Sequence, residues 1–368
     1  MEHNHFRPGN RLGLLQNGDE IFPAMLEAIR GAQTSIEFLT YVYWNSRIAN
    51  EFATALCERA RAGVKVRLLV DAVGGAVMNT RTVWQLERAG VQVAWFRPLR
   101  WPYLRKLNNR THRKILIVDG HIAFTGGVGI ADEWTGAADG PRHWRELHCR
   151  IEGPAAADLF AGFAENWLES THEHLALPPA ASAAGTVAIQ TTISTAGQRP
   201  TTMEQLFRGA ITDARHKLWI ATAYFVPSDS FTAALAAAAG RGVDVRVLTN
   251  GPLSNHKITR LAGRASYGVL LEAGVKIYEY RPTVLHSKVM TADGRWATLG
   301  STNFDNRSLV LNDELNISFT DTDLVASLDA SFLKDLEQAQ EVTLAVRRKA
   351  HWSERLAESA SSVFRGQL

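Results

Sequence analysis

The chain has 368 residues, of which 46% are hydrophobic and 21% are charged. This composition is typical of a folded globular protein and excludes a disordered or fibrous chain. The net charge of +3 is too small to indicate a nucleic-acid or membrane partner by itself, and two cysteines exclude a disulfide framework.

The N-terminal segment MEHNHFRPGNRLGLLQNGDE carries charged and polar residues where a signal peptide needs an unbroken apolar stretch. No run of about 18 apolar residues, the length of a membrane-spanning helix, occurs in the sequence. We therefore expect a peripheral protein that would meet any lipid substrate from the membrane surface. Two thiols, Cys57 and Cys149, fit a reducing compartment and indicate the cytoplasmic side of the cell membrane.

The first elements in the chain predict a β-α-β unit. Residues 34–44 (TSIEFLTYVYW) are apolar and rich in β-forming residues, residues 48–61 indicate an alanine-rich helix, and residues 64–72 (VKVRLLVDA) indicate a buried strand. The same order returns in the second half of the chain, in residues 217–227, 229–240 and 243–251. The sequence therefore predicts two copies of one α/β unit.

A His-x-Lys motif follows each β-α-β unit. The segments THRKILIVDGHIAFTGG (111–127) and LHSKVMTADGRWATLGS (285–301) align position by position. The aligned pairs, all with the same separation along the chain, are His112 with His286, Lys114 with Lys288, Asp119 with Asp293, and Gly126 with Gly300. Side chains two positions apart in a strand lie on one face, so each half contributes one imidazole and one cation to one surface.

Between the copies, residues 172–186 (HEHLALPPAASAAGT) are rich in Ala and Pro and lack helical periodicity, which predicts a linker. We expect a first lobe over 1–171, a second lobe over 187–340 and a helical tail over 341–368. Alternating strands and helices predict an α/β fold with mixed, mostly parallel sheets flanked by helices. Duplicated α/β units commonly pair about a pseudo-twofold axis, which would bring the two motifs together.

Two histidines and two lysines suit the cleavage of a phosphodiester. This reaction needs a nucleophile at phosphorus, a proton donor for the leaving alcohol, and cations at the non-bridging oxygens. With a reference pKa of about 6.5, one imidazole can attack as the neutral base while the other donates a proton. Water or an alcohol would then resolve the phosphohistidine, and we expect no cofactor and no metal.

The duplicated H-x-K-x4-D pattern, followed by Gly-Gly or Gly-Ser, resembles the signature of the phospholipase D superfamily. Residues 10–38, 144–159 (WRELHCRIEGPAAADL) and 299–316 (LGSTNFDNRSLVLNDELN) are similar to bacterial cardiolipin synthases, especially those that lack N-terminal membrane helices. The resemblance implies the phospholipase D fold of two α-β-α lobes. It also implies a phosphatidyltransferase that joins two phosphatidylglycerol molecules, or phosphatidylglycerol and another phospholipid, through a phosphohistidine.

Two alternatives stay open. The first is a phospholipase D-type hydrolase or a metal-independent nuclease on the same scaffold. The second is a lipid-binding protein that has lost catalysis, although the intact His, Lys and Glu positions in both halves argue against it.

The resemblance implies a role for each residue of the catalytic set. Histidines serve as nucleophile and general acid/base, lysines hold phosphate oxygens, motif aspartates mainly support the local structure, and two glutamates orient the histidines. The set is His112, Lys114, Asp119 and Glu146 in the first half, and His286, Lys288, Asp293 and Glu314 in the second. The family tends to use the histidine of the first half as the nucleophile, which favours His112.

The phosphate-binding positions differ between the halves. Ser301 and Asn303 in the second half align with Gly127 and Gly129 in the first. The family places a phosphate-binding asparagine at the position of Asn303, so Gly129 removes this donor from the first half-site. A glycine can instead offer its backbone N–H or let the substrate approach closely. We expect these four residues to bind substrate in two unequal half-sites.

Basic and aromatic residues are concentrated in residues 95–114 (WFRPLRWPYLRKLNNRTHRK), which contain seven Arg or Lys, four aromatic residues and no acid. This pattern suits anionic headgroups at a membrane interface. It would equally suit a nucleic-acid backbone or a solvated basic loop over the site. Within this segment, Arg105 and Lys106 are candidate substrate-binding residues.

The C-terminal tail combines apolar residues with the basic residues 347–349, which predicts an amphipathic helix that lies on a membrane or packs on its own protein. The apolar residues are Leu344, Trp352, Leu356 and Phe364. An anionic phospholipid at a membrane surface is therefore the expected partner, and a nucleic acid is disfavoured.

Overall fold

The computed structural model describes residues 5–98, 108–197 and 200–348, together with residues 358, 360, 361 and 366. Arg105 and Lys106 lie outside the described residues, and so do Trp352, Leu356 and Phe364 in the tail. What the sequence predicts for them stays a prediction. Among the helices of the described ranges, none has the length and apolar composition needed to cross a membrane.

Strands and helices succeed each other in a similar order in the two halves. The first half contains β1 (Arg7–Gln16), α1 (Asn17–Gly31), β2 (Ser35–Thr40), α2 (Arg47–Arg61), β3 (Lys65–Asp71), α3 (Thr80–Arg88), β4 (Gln92–Phe96), β5 (Ile115–Val118), β6 (Ile122–Gly126), β7 (Leu147–Glu152) and α4 (Ala156–Thr171). A 3₁₀ turn over Asp132–Trp134 lies between β6 and β7.

The second half repeats most of this order. It contains β8 (Val187–Ser194), α5 (Thr202–Asp213), β9 (Lys217–Thr222), β10 (Phe225–Val226), α6 (Asp229–Gly240), β11 (Asp244–Asn250), α7 (Lys257–Arg264), α8 (Tyr267–Glu272), β12 (Lys276–Tyr280), β13 (Lys288–Ala292), β14 (Trp296–Gly300), β15 (Phe304–Asp305), β16 (Glu314–Phe319), α9 (Thr322–Leu336), β17 (Ala339–Val342) and α10 (Leu344–Arg348). A π-helical turn over Arg307–Leu311 follows β15.

The predicted β-α-β units correspond to β2-α2-β3 and β9-α6-β11. Residues 172–185 between α4 and β8 form neither helix nor strand. The boundaries that the sequence assigns to the lobes and the tail stay a prediction.

One sheet of 15 strands runs through both halves within the described residues. Its order is β17-β12-β11-β9-β13-β14-β16-β8-β1-β7-β6-β5-β2-β3-β4. Equivalent strands stand at equal distances from the centre, where β1 pairs antiparallel with both β7 and β8. The α/β fold with a mixed sheet is confirmed, and the strand order has the predicted pseudo-twofold character.

The expectation of a mostly parallel sheet is wrong. Among the described strands of this sheet, four neighbouring pairs are parallel, namely β2–β3, β3–β4, β9–β11 and β11–β12. The other ten pairs are antiparallel. The motif strands explain the difference, because β5 and β13 turn directly into β6 and β14 as hairpins, and a hairpin forces antiparallel pairing.

Side chains of the motif strand β5 alternate between two cores. Leu116 and Val118 pack in the core that contains α1 and α2, whereas Ile115 and Ile117 pack in the core that contains α4. Burial on both faces explains why this strand is an unbroken apolar run. A shift of its register by one residue would move every side chain of the strand, and the motif lysine before it, to the opposite face of the sheet.

The direction of the motif strands places both motifs at one edge of the sheet. Leu39 near the carboxyl end of β2 pairs with Ile115 at the amino end of β5. Thr222 at the carboxyl end of β9 likewise pairs with Lys288 at the amino end of β13. Because each His-x-Lys begins or precedes its strand, the motifs lie beside the carboxyl ends of the parallel strands.

The motif aspartates lie at the opposite end of the same strands. Asp119 accepts hydrogen bonds from the backbone N–H groups of Gln33, Thr34 and Ser35. Asp293 accepts them from Arg215, His216 and Lys217. Partial burial raises the pKa of both carboxyls, but these hydrogen bonds more than compensate and leave it below the usual value. These contacts agree with the supporting role that the resemblance implies for both aspartates, and their place in the catalytic set stays a prediction.

We predict that Asp119→Ala lowers the free energy of unfolding by about 1–2 kcal/mol, because it strips the N–H groups at the start of β2 of their acceptor, as loss of a helix cap does. Turnover per folded molecule should not change. Urea unfolding at pH 7 measures the loss, with the exposed Glu87→Gln as control. Unchanged stability with lost turnover would instead give Asp119 a direct chemical role.

Candidate active site

The motif histidines are brought together by a reciprocal exchange of backbone hydrogen bonds between the halves. The His112 N–H donates to the carbonyl oxygen of Asp313 at 2.8 Å, and the His286 N–H donates to that of Arg145 at 2.7 Å. Asp313 and Arg145 each return an N–H bond to the segment just before the bonded histidine. The residue after each carbonyl is a glutamate, which is thereby aimed at the histidine of the other half.

Each imidazole is hydrogen-bonded to the glutamate of the opposite half. His112 Nδ1 lies 3.0 Å from Glu314 Oε1 and 3.1 Å from Oε2, and His286 Nδ1 lies 2.6 Å from Glu146 Oε2. Both carboxyl groups are fully buried. A carboxyl at Nδ1 fixes the ring orientation and leaves Nε2 as the nitrogen available to a substrate.

A cavity of about 260 Å³ at this edge of the sheet contains both histidines. Its wall contains both aromatic and polar side chains. Besides the two histidines, the lining includes Tyr41, Trp44, Lys114, Gly129, Trp134, Trp144, Tyr224, Asn255, His256, Asn303 and Asp305. One phosphorus atom in this cavity would therefore be accessible to side chains from both halves.

The motif lysines are held beside the histidines and lie out of solvent. Lys114 Nζ donates to the carbonyl oxygen of His112 at 2.6 Å, and Lys288 Nζ donates to the carbonyl oxygen of His286. Burial lowers the pKa of Lys114 to about 7 and that of Lys288 to about 8, against the attraction of the buried glutamates. The two ammonium groups are thus sensitive to any anion that enters the cavity.

Burial also keeps the imidazoles neutral. It lowers the pKa of His112 to about 4, although the Glu314 carboxylate opposes this change. Burial and the charge of Lys288 lower the pKa of His286 well below its usual value. Burial raises the pKa of Glu146 to about 7, so this carboxyl holds a proton in a large share of molecules at neutral pH.

The two imidazoles have different surroundings at Nδ1. His286 Nδ1 lies 3.0 Å from Lys288 Nζ and 3.4 Å from Trp134 Nε1. Ammonium and indole N–H groups can only donate, so they favour an unprotonated Nδ1 in His286, with its proton on Nε2. The short contact from this Nδ1 to Glu146 then requires a protonated Glu146 carboxyl, in agreement with its raised pKa.

The different surroundings of the two imidazoles originate at positions that align between the halves but carry different residues. In the second half, the Ser301 hydroxyl donates to Glu314. In the first half, a Cβ at Gly127 would lie 2.5 Å from Glu146 Oε2, so no serine fits there. Trp134 instead donates from its indole to that carboxyl at 3.2 Å.

The same indole occupies the space of the missing asparagine. A Cβ at Gly129 would lie 3.0 Å from the Trp134 ring, whereas the aligned Asn303 contacts Ser308, the residue that aligns with Trp134. The Trp134 ring also meets the His286 ring edge to face, with centroids 5.1 Å apart. The absence of an amide at Gly129 is therefore matched by an aromatic wall on the first half-site.

The structure brings together some of the predicted substrate-binding residues and not others. Asn303 and Gly129 line the cavity. Ser301 and Gly127 do not; the structure corrects them to positions behind the two glutamates, because each lies against a carboxyl group.

The surface interpretation of residues 95–114 is wrong for three of its arginines, which are buried in ion pairs. The pairs are Arg97 with Glu169, Arg110 with Asp71, and Arg113 with Glu165. A buried guanidinium needs such a partner, and each partner lies far away in the sequence. The count of basic residues therefore overstated the positive charge available to a membrane or a nucleic acid.

Sequence reasoning missed the aromatic wall and its hydrogen bonds. Tyr41, Trp44 and Tyr224 follow apolar runs and read as core residues. The sequence offered one signal for Trp134: this residue aligns with Ser308, five positions after Gly129 replaces the asparagine of the other half. Asp305 lies two residues after Asn303 but aligns with Ala131, so the duplication gave no signal for it.

Comparison with known proteins agrees with the geometry of the site. The family described as cardiolipin synthase, PLD-like domain, matches residues 25–167 and 207–336, which include both motifs. A probable cardiolipin synthase of Bacillus subtilis is 33% identical, with 100% of this chain and 74% of the relative covered. A cardiolipin synthase of Geobacillus kaustophilus is 36% identical, with 96% of this chain and 71% of the relative covered.

Among solved structures, the fold is similar to that of a phosphatidylserine synthase from Haemophilus influenzae. The TM-score is 0.76 and the identity 14%, with 99% of this chain and 97% of that protein covered. At this identity the likeness concerns the fold alone. The family match and the two relatives, by contrast, show that the chain belongs to the cardiolipin synthase family of phospholipase D-like enzymes.

Proposed function

We propose that the protein is a phosphatidyltransferase that joins two phosphatidylglycerol molecules, or phosphatidylglycerol and another phospholipid. The observation that carries the proposal is the pair of neutral imidazoles in one cavity, each bound at Nδ1 by the glutamate of the other half. The family membership supports the lipid substrate. The protein would act peripherally, on the cytoplasmic face, where free thiols such as Cys57 and Cys149 persist.

His112 is the proposed nucleophile. Its Nδ1 faces the Glu314 carboxylate, which favours the tautomer with the proton on Nδ1 and a lone pair on Nε2. This lone pair attacks phosphorus, a P–N bond forms, and the bond from phosphorus to the glycerol oxygen breaks. Glu314 stabilises the positive charge that the ring acquires.

His286 is the proposed general acid. The donors Lys288 and Trp134 at its Nδ1 favour a proton on Nε2, which passes to the leaving glycerol oxygen. The proton of Glu146 can then move to Nδ1, so the imidazole stays neutral and the negative charge rests on the Glu146 carboxylate. In the second step, His286 removes a proton from the acceptor hydroxyl. That oxygen attacks phosphorus, and the P–N bond to His112 breaks.

Lys114, Lys288 and Asn303 would hold the non-bridging oxygens of the phosphate. The two ammonium groups are desolvated, so their attraction to an anion is stronger than at a surface. Asn303 is buried, and its Oδ1 has no partner among the described residues. Its Nδ2 group donates to Ser308 Oγ across a long 3.5 Å, so this donor can turn to a phosphate oxygen at little cost, with no bond to lose at Oδ1.

With phosphatidylglycerol vesicles and a chelator present, we expect a dimeric phospholipid and free glycerol in equal amounts. His112→Ala and His286→Ala should each lower this rate at least about 10³-fold, because each removes one chemical role. Lipid chromatography with labelled substrate measures both products, and the exposed His121→Ala is the control. Phosphatidic acid as the main product would favour hydrolysis, and cleaved DNA beside intact lipid would refute the lipid assignment.

A donor lipid with a nitrophenol leaving group separates the two histidines. Nitrophenolate leaves without a proton, so in a single turnover His286→Ala should release it at a rate within about tenfold of the unaltered protein, whereas His112→Ala should not release it. Further turnovers by His286→Ala should be slow, because the acceptor still needs the base. Trp134→Phe should slow the natural donor and spare the nitrophenyl donor in the same way. Trp144→Phe, at the same imidazole, is the matched control. Equal losses on both donors would contradict the assignment.

The pH dependence of kcat/KM follows from the shifted groups. The nucleophile is lost as the pH falls through about 4, where His112 takes up a proton. Activity falls again as the pH rises through about 7 to 8, where Lys114 and Lys288 lose their charge and Glu146 loses the proton that it passes to His286. A bound phosphate favours charged lysines, so the alkaline limb of kcat should lie at higher pH. An alkaline limb unchanged in both Lys114→Gln and Lys288→Gln would contradict this origin.

A further inference from the structure

Exposed aliphatic side chains lie on the loops that follow the equivalent strands β3 and β11, and in the first turn of α7 directly after the second loop. Val73 is 41% exposed and Val77 61% exposed after β3. Leu253 is 43% exposed and Ile258 59% exposed after β11. Single exposed apolar residues are ordinary on a protein surface. Here, however, they recur after equivalent strands in both halves. Exposed apolar side chains are therefore a shared feature of the two halves at the edge where the parallel strands end.

Both loops, residues 72–79 and 251–258, adjoin the cavity and are called the rim loops here. In the first, the Gly74 carbonyl accepts a hydrogen bond at 3.0 Å from Nε1 of Trp44, a lining residue. In the second, Asn255 and His256 line the cavity themselves. The exposed aliphatic residues therefore flank the cavity from the side of each half.

The rim loops and the residues that follow them in the chain carry positive charge and no negative charge. Residues 72–86 and 251–271 contain no Asp or Glu. Exposed cations stand next to the aliphatic residues, namely Arg81 at the start of α3 and Lys257 at the start of α7. Trp84, 56% exposed on α3, carries the Arg88 guanidinium over its ring at 4.5 Å. Aliphatic and indole side chains beside cations match the boundary of an anionic bilayer.

We propose that the rim loops are the surface by which this protein docks on an anionic lipid bilayer. Val77 and Ile258 enter the headgroup region on either side of the cavity, while Arg81 and Lys257 contact lipid phosphates. A phospholipid keeps its phosphate at that depth, so docking in this orientation lets the phosphate reach both histidines while the acyl chains stay in the membrane. The inference rests on the proposed function for the identity of the lipid.

Vesicle binding tests the surface without any chemistry. The full chain is sedimented with vesicles of phosphatidylglycerol and phosphatidylcholine, and with phosphatidylcholine alone. We expect the unaltered protein to bind the anionic vesicles, and Val77→Asp/Ile258→Asp to bind them at least tenfold more weakly. The control is Leu177→Asp, a residue 68% exposed in the connecting segment near the opposite edge of the sheet; it should bind as the unaltered protein does.

Turnover of a short-chain, monomeric phosphatidylglycerol separates this proposal from the proposed function. Val77→Asp/Ile258→Asp should keep that turnover within about twofold, which also shows that it is folded. Val77→Ser/Ile258→Ser, a milder change, should weaken vesicle binding by a smaller factor.

Two results would overturn the docking surface: unaltered vesicle binding in both double variants, or no vesicle binding by the unaltered protein. Vesicle binding that depends on the rim loops, without turnover of any phospholipid, would keep the surface and refute the phosphatidyltransferase.

Discussion

The whole site depends on one arrangement: each half supplies the carboxyl group that holds the histidine of the other half. His112 is held by Glu314 and His286 by Glu146, so neither half contains a complete half-site. Hydrogen bonds of this length tolerate little relative movement of the halves. The continuous sheet supplies the rigidity, because β1 pairs with strands of both halves at the centre of the molecule.

Burial of charge is the second constraint on the cavity. Four ionisable groups of the site are buried, namely Lys114, Lys288, Glu146 and Glu314. A buried charge without a partner costs several kcal/mol. Burial disfavours the charged form of these groups, which lowers the pKa of both lysines and raises the pKa of Glu146. A phosphate adds negative charge to the group, so substrate binding and lysine protonation reinforce each other.

The sequence was most informative where several chemically distinct residues recur at one spacing. Such a pattern identifies the His-x-Lys motifs and the duplication, and apolar runs bounded by glycine locate β2-α2-β3 and β9-α6-β11. Strand direction was missed because it depends on the hairpins after the motifs, which local patterns do not distinguish from crossovers. The buried arginines were misread for a related reason: a charge is visible in sequence, but its distant partner, such as Asp71 for Arg110, is not.

The unequal half-sites bear on how such a chain could have arisen. A symmetric dimer of one half would present the same residues beside both imidazoles, so any substitution would alter the two rings alike. Covalent duplication removes that symmetry: Gly127 and Trp134 act on His286 while Ser301 acts through Glu314 on His112. In this chain the two histidines therefore differ before any substrate binds, which two identical copies in a symmetric dimer could not achieve.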